Sequence, residues 1–260
     1  MQNIDPFLFI EPVVFIAISA GLILYWRLKR RFVAIVLLFS FIAYAGAIAL
    51  KEIVQAFTAG GVTAAFGSAS WQTGVYYGVQ TSVFEVGLTY LVARYAISRK
   101  MMEGADGEAY GISLAFWENG VLLGALTLFN LVTTYFLIAG GLIPASVYQT
   151  IVNSEPSVFY SPQQLALPMA FGVLERISSL LAHFSWGYLC VLAVYMRRRA
   201  YFLVALPMGL LDVTVPFAQE IPLWEYETLI FAISLGFFLV AWTITRGARR
   251  SGYAIPPPKD

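Results

Sequence analysis

Long apolar segments separated by short polar ones are the feature that most limits how this chain can fold. A helix needs roughly 20 predominantly apolar residues to cross the hydrocarbon core of a bilayer, which is about 30 Å thick. Seven segments reach or approach that length, at 7–26, 32–57, 72–97, 113–141, 168–196, 201–218 and 223–245. With 59% hydrophobic and 12% charged residues, the chain also has too little polar surface for a water-soluble globule. We therefore predict an all-α, polytopic integral membrane protein of about seven spans.

The positions of lysine and arginine predict the orientation, because these residues accumulate on the cytoplasmic side of membrane proteins. If the loops alternate from an external N-terminus, fourteen of the sixteen basic residues fall on the inner side. These fourteen form four clusters, at 27–31, 94–100, 197–199 and 246–259. The sequence thus predicts an external N-terminus, a cytoplasmic C-terminus and a single membrane domain over residues 1–260. We expect it in the plasma membrane of a prokaryote.

Composition and residue counts exclude several classes of function. A net charge of +1 without a basic arm argues against nucleic-acid binding. The only cysteine, Cys190, cannot form a disulfide framework or a paired-cysteine metal motif. A retinal protein needs a lysine in its last span for the Schiff base, and 223–245 contains none. Haem ligation by paired histidines is excluded because the chain has one histidine.

Ionisable residues inside the predicted spans are the candidates for function, since each costs about 2.5–3.5 kcal/mol on insertion scales. Counting helical residues from the cytoplasmic ends places Glu85, His183 and Asp212 at one level, roughly 16–21 Å deep. Imidazole and carboxylate groups are metal ligands or acid–base groups, so this level predicts a site near mid-membrane. Glu118 is a further candidate at a less well defined depth. The alternative is that His183 only makes a hydrogen bond between helices.

A second level nearer the external side contains two positive and two negative residues. Lys51 and Glu52 lie there on one span, and Glu175 and Arg176 lie there on another. Opposite charges at one depth on two helices predict a structural ion-pair network. Arg176 and His183 are seven residues apart, so one helical face carries both levels.

Four sequence blocks resemble a known family. They are FEVGLTY at 84–90, GISLAFWE at 111–118, ERISSLLAHFS at 175–185 and LPMGLLD at 206–212. In this order they resemble the YhfC-like intramembrane metalloproteases, relatives of the CAAX prenyl proteases and the PrsW proteases. That family pattern has a glutamate base in an EExxR motif, and histidines in HxxxE, ER…H and HxxxD blocks. The resemblance implies that Glu85 is the catalytic base and that His183, Asp212 and Glu118 are metal ligands.

The chain departs from that pattern at four positions. Val86 and Thr89 replace the second glutamate and the arginine of EExxR, and Leu114 and Met208 stand where histidines belong. A histidine-rich zinc site cannot be assembled from one histidine. The remaining nitrogen and oxygen donors suit one divalent transition metal ion such as Mn²⁺ or Fe²⁺. They also suit a metal-free network in which carboxylates share protons.

The resemblance implies peptide-bond hydrolysis inside the membrane, in a polar cavity built mainly from residues 72–218. A noncatalytic subunit or scaffold that binds another membrane protein is an equally open interpretation. A third interpretation is ion or proton transport through the buried acids. The expected partners are membrane lipid and either a membrane polypeptide substrate or a partner subunit.

Overall fold

Helices form all of the regular structure in residues 3–30 and 32–250, which the computed structural model describes. The α-helices are α1 (Ile10–Arg30), α2 (Ile35–Phe66), α3 (Trp71–Gln80), α4 (Gly87–Ser98), α5 (Gly107–Ala115), α6 (Thr127–Ala139), α7 (Ala145–Ser154), α8 (Pro162–Tyr195), α9 (Arg199–Ala205) and α10 (Leu223–Arg250). The predicted all-α bundle is confirmed. Arg31 and Lys259, two of the residues used to predict orientation, lie outside the described residues.

Six stretches of the described residues are 3₁₀ or π helix, and three of these each continue an α-helix. The first π stretch, Thr81–Val86, joins α3 to α4, and the second π stretch, Phe116–Leu126, joins α5 to α6. The 3₁₀ stretch, Leu206–Phe217, continues α9. These stretches carry Glu85, Glu118 and Asp212 respectively, three of the predicted site residues. Single turns of π helix are frequent at functional sites, and both π and 3₁₀ geometry change the direction in which side chains project.

Six helical stretches in the described part of the chain are long and apolar enough to cross a membrane. They are Pro6–Lys29, Ile35–Phe66, Gly104–Ala139, Pro162–Tyr195, Arg199–Phe217 and Leu223–Gly247. Each coincides with one of the seven predicted spans. The remaining predicted span, 72–97, is one continuous helix from α3 through α4, but it is more polar than the six. The apolar helices are those of an integral membrane protein, while the number of spans and the orientation stay predictions.

Close backbone approach brings the 3₁₀ stretch against the first π stretch. Gly209 lies so near its neighbour that a Cβ there would be 2.5 Å from the backbone nitrogen of Ser82. On α3, a Cβ at Gly78 would be 2.6 Å from the Cγ2 of Val213. Glycine is required at both contacts because any side chain would push the two segments apart. The contact brings Asp212 beside the residues of the first π stretch.

A second close crossing sets the position of α5 relative to α8. A Cβ on Gly187 would lie 2.6 Å from the Cα of Gly111, and one on Gly111 would lie 2.7 Å from the carbonyl oxygen of Phe184. The two glycines therefore let the helix backbones touch. Since the second π stretch follows directly after α5, this crossing places Glu118 beside His183.

The apolar core lies in the half of the bundle that includes this crossing. Its buried members come from α2, α4, α5, α8 and the 3₁₀ stretch, and include Val36, Ala43, Ala93, Tyr110, Leu114, Leu189 and Met208. Tyr110 donates a hydrogen bond to the carbonyl oxygen of Thr89 at 3.1 Å, so its buried hydroxyl is satisfied. Polar residues instead gather around a cavity nearer the start of α8, which contains the candidate site.

Candidate metal centre

His183 on α8 lies at the centre of the polar residues and is only 4% exposed. Its Nδ1 is 2.9 Å from the carbonyl oxygen of Ser179, one helical turn earlier. A carbonyl oxygen only accepts, so Nδ1 carries the hydrogen, and Nε2 of the neutral ring presents a lone pair. That buried Nε2 makes no directed hydrogen bond with any described residue. It faces carboxylate oxygens of Glu118 at 3.1 Å and Glu85 at 3.7 Å.

The arginine arm, which we define as Arg176, Glu118 and Ser179, lies on one side of the imidazole. The Oε1 of Glu118 accepts hydrogen bonds from the guanidinium of Arg176 and the hydroxyl of Ser179, both at 3.0 Å. Its Oε2 is the oxygen that faces His183. Arg176 is itself held by Asn119, whose side chain accepts from the guanidinium at 3.2 Å and donates to the Arg176 carbonyl at 3.0 Å. Glu118 is therefore fixed in position by α8.

The lysine arm, which we define as Lys51, Glu85, Thr81 and Asp212, lies on the other side. The ammonium group of Lys51 donates to the Oε1 of Glu85 at 2.5 Å and to Thr81 at 2.8 Å. It also lies 3.3 Å from the carboxylate of Asp212, which accepts a hydrogen bond from Thr81. The Oε2 of Glu85 is left to face His183. Both glutamates thus bind a cation through one oxygen and present the other to the imidazole.

The ion pairs differ from the grouping predicted from depth. Lys51 pairs with Glu85 and Asp212 and not with Glu175. Arg176 pairs with Glu175 and Glu118. Glu52 is exposed and makes no ion pair with any residue that the structure describes. The predicted network of Lys51, Glu52, Glu175 and Arg176 is therefore not found as one group: only the pair of Arg176 with its neighbour Glu175 remains. Lys51 leaves it because a long lysine side chain reaches the level below its own backbone.

Asp212 is not among the groups that face the imidazole, contrary to the grouping predicted from depth. Its carboxylate contacts Lys51 and Thr81, so the group of donors around the imidazole contains Glu85 and Glu118 in its place. The physical reason is the 3₁₀ stretch, which rises about 2.0 Å per residue with three residues per turn. Both the height and the direction of Asp212 therefore differ from those in an α-helix.

A cavity of about 340 Å³ contains both arms, and it adjoins an apolar groove on the lipid-facing surface. The groove has a volume of about 610 Å³ and lies between α2 and the second π stretch. Tyr44, Ile48 and Leu122 line both spaces. The ring of Tyr44 also lies edge-on to the imidazole of His183, with 6.2 Å between ring centroids. Three side chains thus line both the polar site and the apolar groove.

The donors around Nε2 fit a divalent cation. One atom each of Glu85, Glu118 and His183 lies within 4.8 Å of the others, which is compatible with ligands of a single ion. The Nδ1 contact to Ser179 fixes the ring in the way that metal-bound histidines are normally fixed. The ion-paired groups around the cavity are Lys51, Arg176, Glu85, Glu118, Glu175 and Asp212. The cavity thus contains more carboxylates than basic side chains, a donor set that suits a divalent cation.

Comparison with known proteins identifies the family. The sequence model of the YhfC intramembrane metalloprotease family matches residues 14–221. The chain belongs to this family. The match covers all residues of both arms. No curated protein and no solved structure is detectably similar to the chain.

Two positions distinguish this YhfC protein from the histidine-rich pattern described above. Leu114 is 1% exposed and Met208 is 3% exposed, and both belong to the apolar core. The cavity wall formed by the described residues includes neither of them. Apolar side chains are therefore well packed at both positions, and the centre depends on His183 with carboxylates.

Sequence reasoning missed several polar residues of this YhfC centre, among them Asn119, Thr81 and Ser179. Thr81 lies four residues before Glu85, and Ser179 lies four residues before His183. That spacing puts each pair on one helical face, so it was a usable signal. Ser179 is the more important omission, because its hydroxyl holds Glu118 and its carbonyl holds the imidazole.

Proposed function

We propose that this YhfC protein is a metal-dependent peptidase that cleaves polypeptides within the membrane. The observation that supports this function best is the buried Nε2 of His183, which makes no directed hydrogen bond with the described residues and faces carboxylates from two other helical segments. In this proposal His183 and Glu118 hold one divalent transition metal ion, and Glu85 is the base. Asp212, the third ligand expected from the family resemblance, holds Lys51 in place.

The two glutamates have different roles because their surroundings differ. A divalent ion at this centre would supply Lewis-acid activation of a peptide carbonyl and of water. Glu85 takes a proton from the attacking water on Oε2, while its Oε1 stays bound to Lys51. The water oxygen forms a bond to the carbonyl carbon, the carbon–nitrogen bond breaks, and Glu85 returns the proton to the leaving amine. Glu118 is held by two donors on Oε1 and has its Oε2 3.1 Å from Nε2 of His183, so it serves as a ligand.

The position of the cavity supports a membrane-embedded polypeptide as the substrate. The cavity adjoins the apolar groove at Tyr44, Ile48 and Leu122, so an apolar chain segment in the bilayer would reach the centre by displacing these side chains. On α2, Ala45 and Ala49 line the groove with four-residue spacing. Small residues at that spacing permit close approach of another helix. A prokaryotic plasma membrane remains the predicted location.

Cleavage of defined peptides tests this function. The purified protein is reconstituted in liposomes with a panel of single-span peptides that carry a fluorophore and a quencher. We expect cleavage that a chelator suppresses and that Glu85→Gln and His183→Ala abolish. Glu52→Gln is the matched control, because Glu52 is exposed and should not affect the rate. Equal cleavage by wild type and His183→Ala would refute the assignment.

A noncatalytic membrane subunit is the second candidate, and the packing of Leu114 and Met208 favours it. Both side chains are buried in the apolar core, as expected where histidine ligands have been lost without leaving a gap. A scaffold of this kind would bind its partner through the groove and the cavity. It would contain no transition metal and would keep partner binding in Glu85→Gln and His183→Ala.

A further inference from the structure

The hydroxyl group of Tyr44 on α2 is a hydrogen-bond donor beside the metal centre that neither arm uses. The Tyr44 side chain lines the cavity, and its ring lies edge-on to the imidazole of His183 with 6.2 Å between centroids. The residue is only 7% exposed, yet its hydroxyl is accessible and makes no hydrogen bond with any residue that the structure describes. A phenol can donate one hydrogen bond, so this donor is available to a group that enters the cavity.

The other side chains with donors around the cavity are engaged or enclosed. Those that already donate to an acceptor among the described residues are Lys51, Thr81, Arg176, Ser179, His183, Thr214 and Tyr226. Trp186 lacks an acceptor there, but its Nε1 is fully enclosed, so an incoming group cannot reach it. Of the described side chains with a donor that line the cavity, only Tyr44 is both accessible and without a hydrogen bond.

The surroundings of this hydroxyl connect it to the proposed base. The charged groups within its electrostatic range are Glu118, Glu85 and Arg176, which all belong to the two arms. Tyr44 and Lys51 are seven residues apart on α2, so they lie on one helical face about two turns apart. Lys51 holds Glu85 through Oε1. One face of α2 thus carries a neutral donor and the cation that positions the base.

Tyr44 also lies on the route proposed for the substrate. Its side chain lines the apolar groove as well as the cavity. An apolar segment that enters from the groove therefore moves past the Tyr44 ring before its backbone reaches His183. The hydroxyl then lies beside a peptide group at the centre.

Hydrolysis of a peptide bond requires stabilisation of negative charge on the carbonyl oxygen. When water adds to the carbonyl carbon, the π electrons of the carbonyl bond move to the oxygen, which becomes an oxyanion. A donor aimed at that oxygen stabilises the transition state more than the ground state. A phenol keeps its proton at neutral pH, so it can donate without altering the charge of the centre.

We propose that the Tyr44 hydroxyl donates a hydrogen bond to this oxyanion, which makes Tyr44 a catalytic residue of the peptidase. The inference rests on the proposed function. The hydroxyl proton stays on Tyr44, and the proton of the attacking water goes to Glu85. When the carbon–nitrogen bond breaks, the carbonyl double bond forms again and the charge on its oxygen disappears.

A packing role is the alternative for Tyr44. Its ring could serve only to contact the imidazole of His183 and to fill the junction of cavity and groove. Phenylalanine has the same ring and lacks only the oxygen, so Tyr44→Phe preserves packing and removes the donor. Because the hydroxyl makes no hydrogen bond with the described residues, the melting temperature and metal content should not change.

Steady-state kinetics with the quenched peptides in liposomes measures the effect of this change. We expect Tyr44→Phe to lower kcat about 100-fold, the low end of the range for loss of one oxyanion donor. KM should change by less than about threefold, because the lost hydrogen bond forms only in the transition state. Tyr226→Phe is the matched control. Tyr226 lines the same cavity, but its hydroxyl is 3.5 Å from that of Thr214, so kcat should stay near the wild-type value.

Binding of a phosphinate peptide provides a second measurement that needs no turnover. Its tetrahedral phosphorus with two oxygens replaces the scissile peptide group and resembles the transition state. Isothermal titration in the presence of Mn²⁺ should show binding to Tyr44→Phe weakened by about the factor by which kcat/KM falls. Tyr226→Phe should bind the phosphinate peptide as the wild type does.

The outcomes distinguish this inference from the proposed function. If the wild type cleaves peptides and Tyr44→Phe keeps the wild-type kcat, only the inference is overturned. An equal loss of kcat in Tyr44→Phe and Tyr226→Phe, or unchanged binding of the phosphinate peptide in Tyr44→Phe, would also overturn it. If the wild type cleaves none of the peptides, the proposed function itself is refuted and the inference is refuted with it.

Discussion

The arginine arm and the lysine arm hold two glutamates on opposite sides of one imidazole, and they do so differently. Glu118 in the arginine arm has two donors on one oxygen, and its other oxygen lies 3.1 Å from His183. Glu85 in the lysine arm binds one ammonium group, which it shares with Asp212, and lies 3.7 Å from His183. A guanidinium has fixed, planar donor geometry, whereas an ammonium group is a compact charge on a flexible stem. We propose that the arginine arm fixes a metal ligand and that the lysine arm positions the base.

Removing the cation of the arginine arm should produce the largest effect. Arg176→Leu leaves the half-buried Glu118 without its ionic partner, and loss of one member of a buried pair costs about 3–5 kcal/mol. We expect a correspondingly lower melting temperature in detergent, with Arg176→Lys intermediate. The comparison fails if Arg176→Leu is as stable as wild type.

Replacing the two glutamates one at a time should separate metal binding from turnover. Glu118→Gln should weaken metal binding about 100-fold or more, at or above the upper end of the range for supporting residues. Glu85→Gln should abolish cleavage while metal affinity changes by less than about tenfold. Isothermal titration with Mn²⁺ and Zn²⁺, together with the peptide assay, measures both. If Glu85→Gln lost more metal affinity than Glu118→Gln, Glu85 would be the ligand and Glu118 the base.

Removing the hydroxyl of Ser179, in the arginine arm, should weaken metal binding less than Glu118→Gln does. Ser179→Ala deletes the donor to Glu118 but keeps the carbonyl that fixes His183. We expect about tenfold weaker metal binding, the low end of the range for such supporting contacts. The same titration compares this variant with Ser178→Ala, whose hydroxyl only bonds the carbonyl of Leu174 on α8. An equal effect of the two changes would contradict a specific role for Ser179.

Introducing a histidine at Met208 should have the smallest effect on metal affinity. Met208 belongs to the apolar core and is absent from the cavity wall formed by the described residues, so a new imidazole there should add no ligand. We expect unchanged metal affinity in Met208→His, together with reduced stability from a buried polar ring. A marked gain in affinity would show that the histidine-rich pattern remains accessible to this fold.

The sequence predicted the class of fold better than the pairing of the charged residues. Apolar length predicted seven spans, and six of them coincide with described helices that are long and apolar enough to cross a membrane. Residue counting gives height along the membrane normal but no rotation about each helix axis. The π and 3₁₀ stretches then alter that rotation at Glu85, Glu118 and Asp212.

The same lack of information about helix rotation explains why Lys51 and Arg176 pair with other carboxylates than predicted. Lys51 and Arg176 are at similar predicted heights, but only the packing of α2 and α8 decides which carboxylates each cation meets. The close contacts at Gly209 and Gly187, which bring the segments together, depend on three-dimensional crossings that a linear pattern does not contain.

Elemental analysis of the purified full-length protein tests the metal centre most directly. We expect about one equivalent of a divalent transition metal in the wild type, as for a single-ion centre. His183→Ala should contain almost none, with unchanged helical content and elution volume. A wild-type protein that remains metal-free after incubation with Mn²⁺, Fe²⁺ and Zn²⁺, or a His183→Ala variant that retains the full equivalent, would contradict a metal ion held by His183 and Glu118.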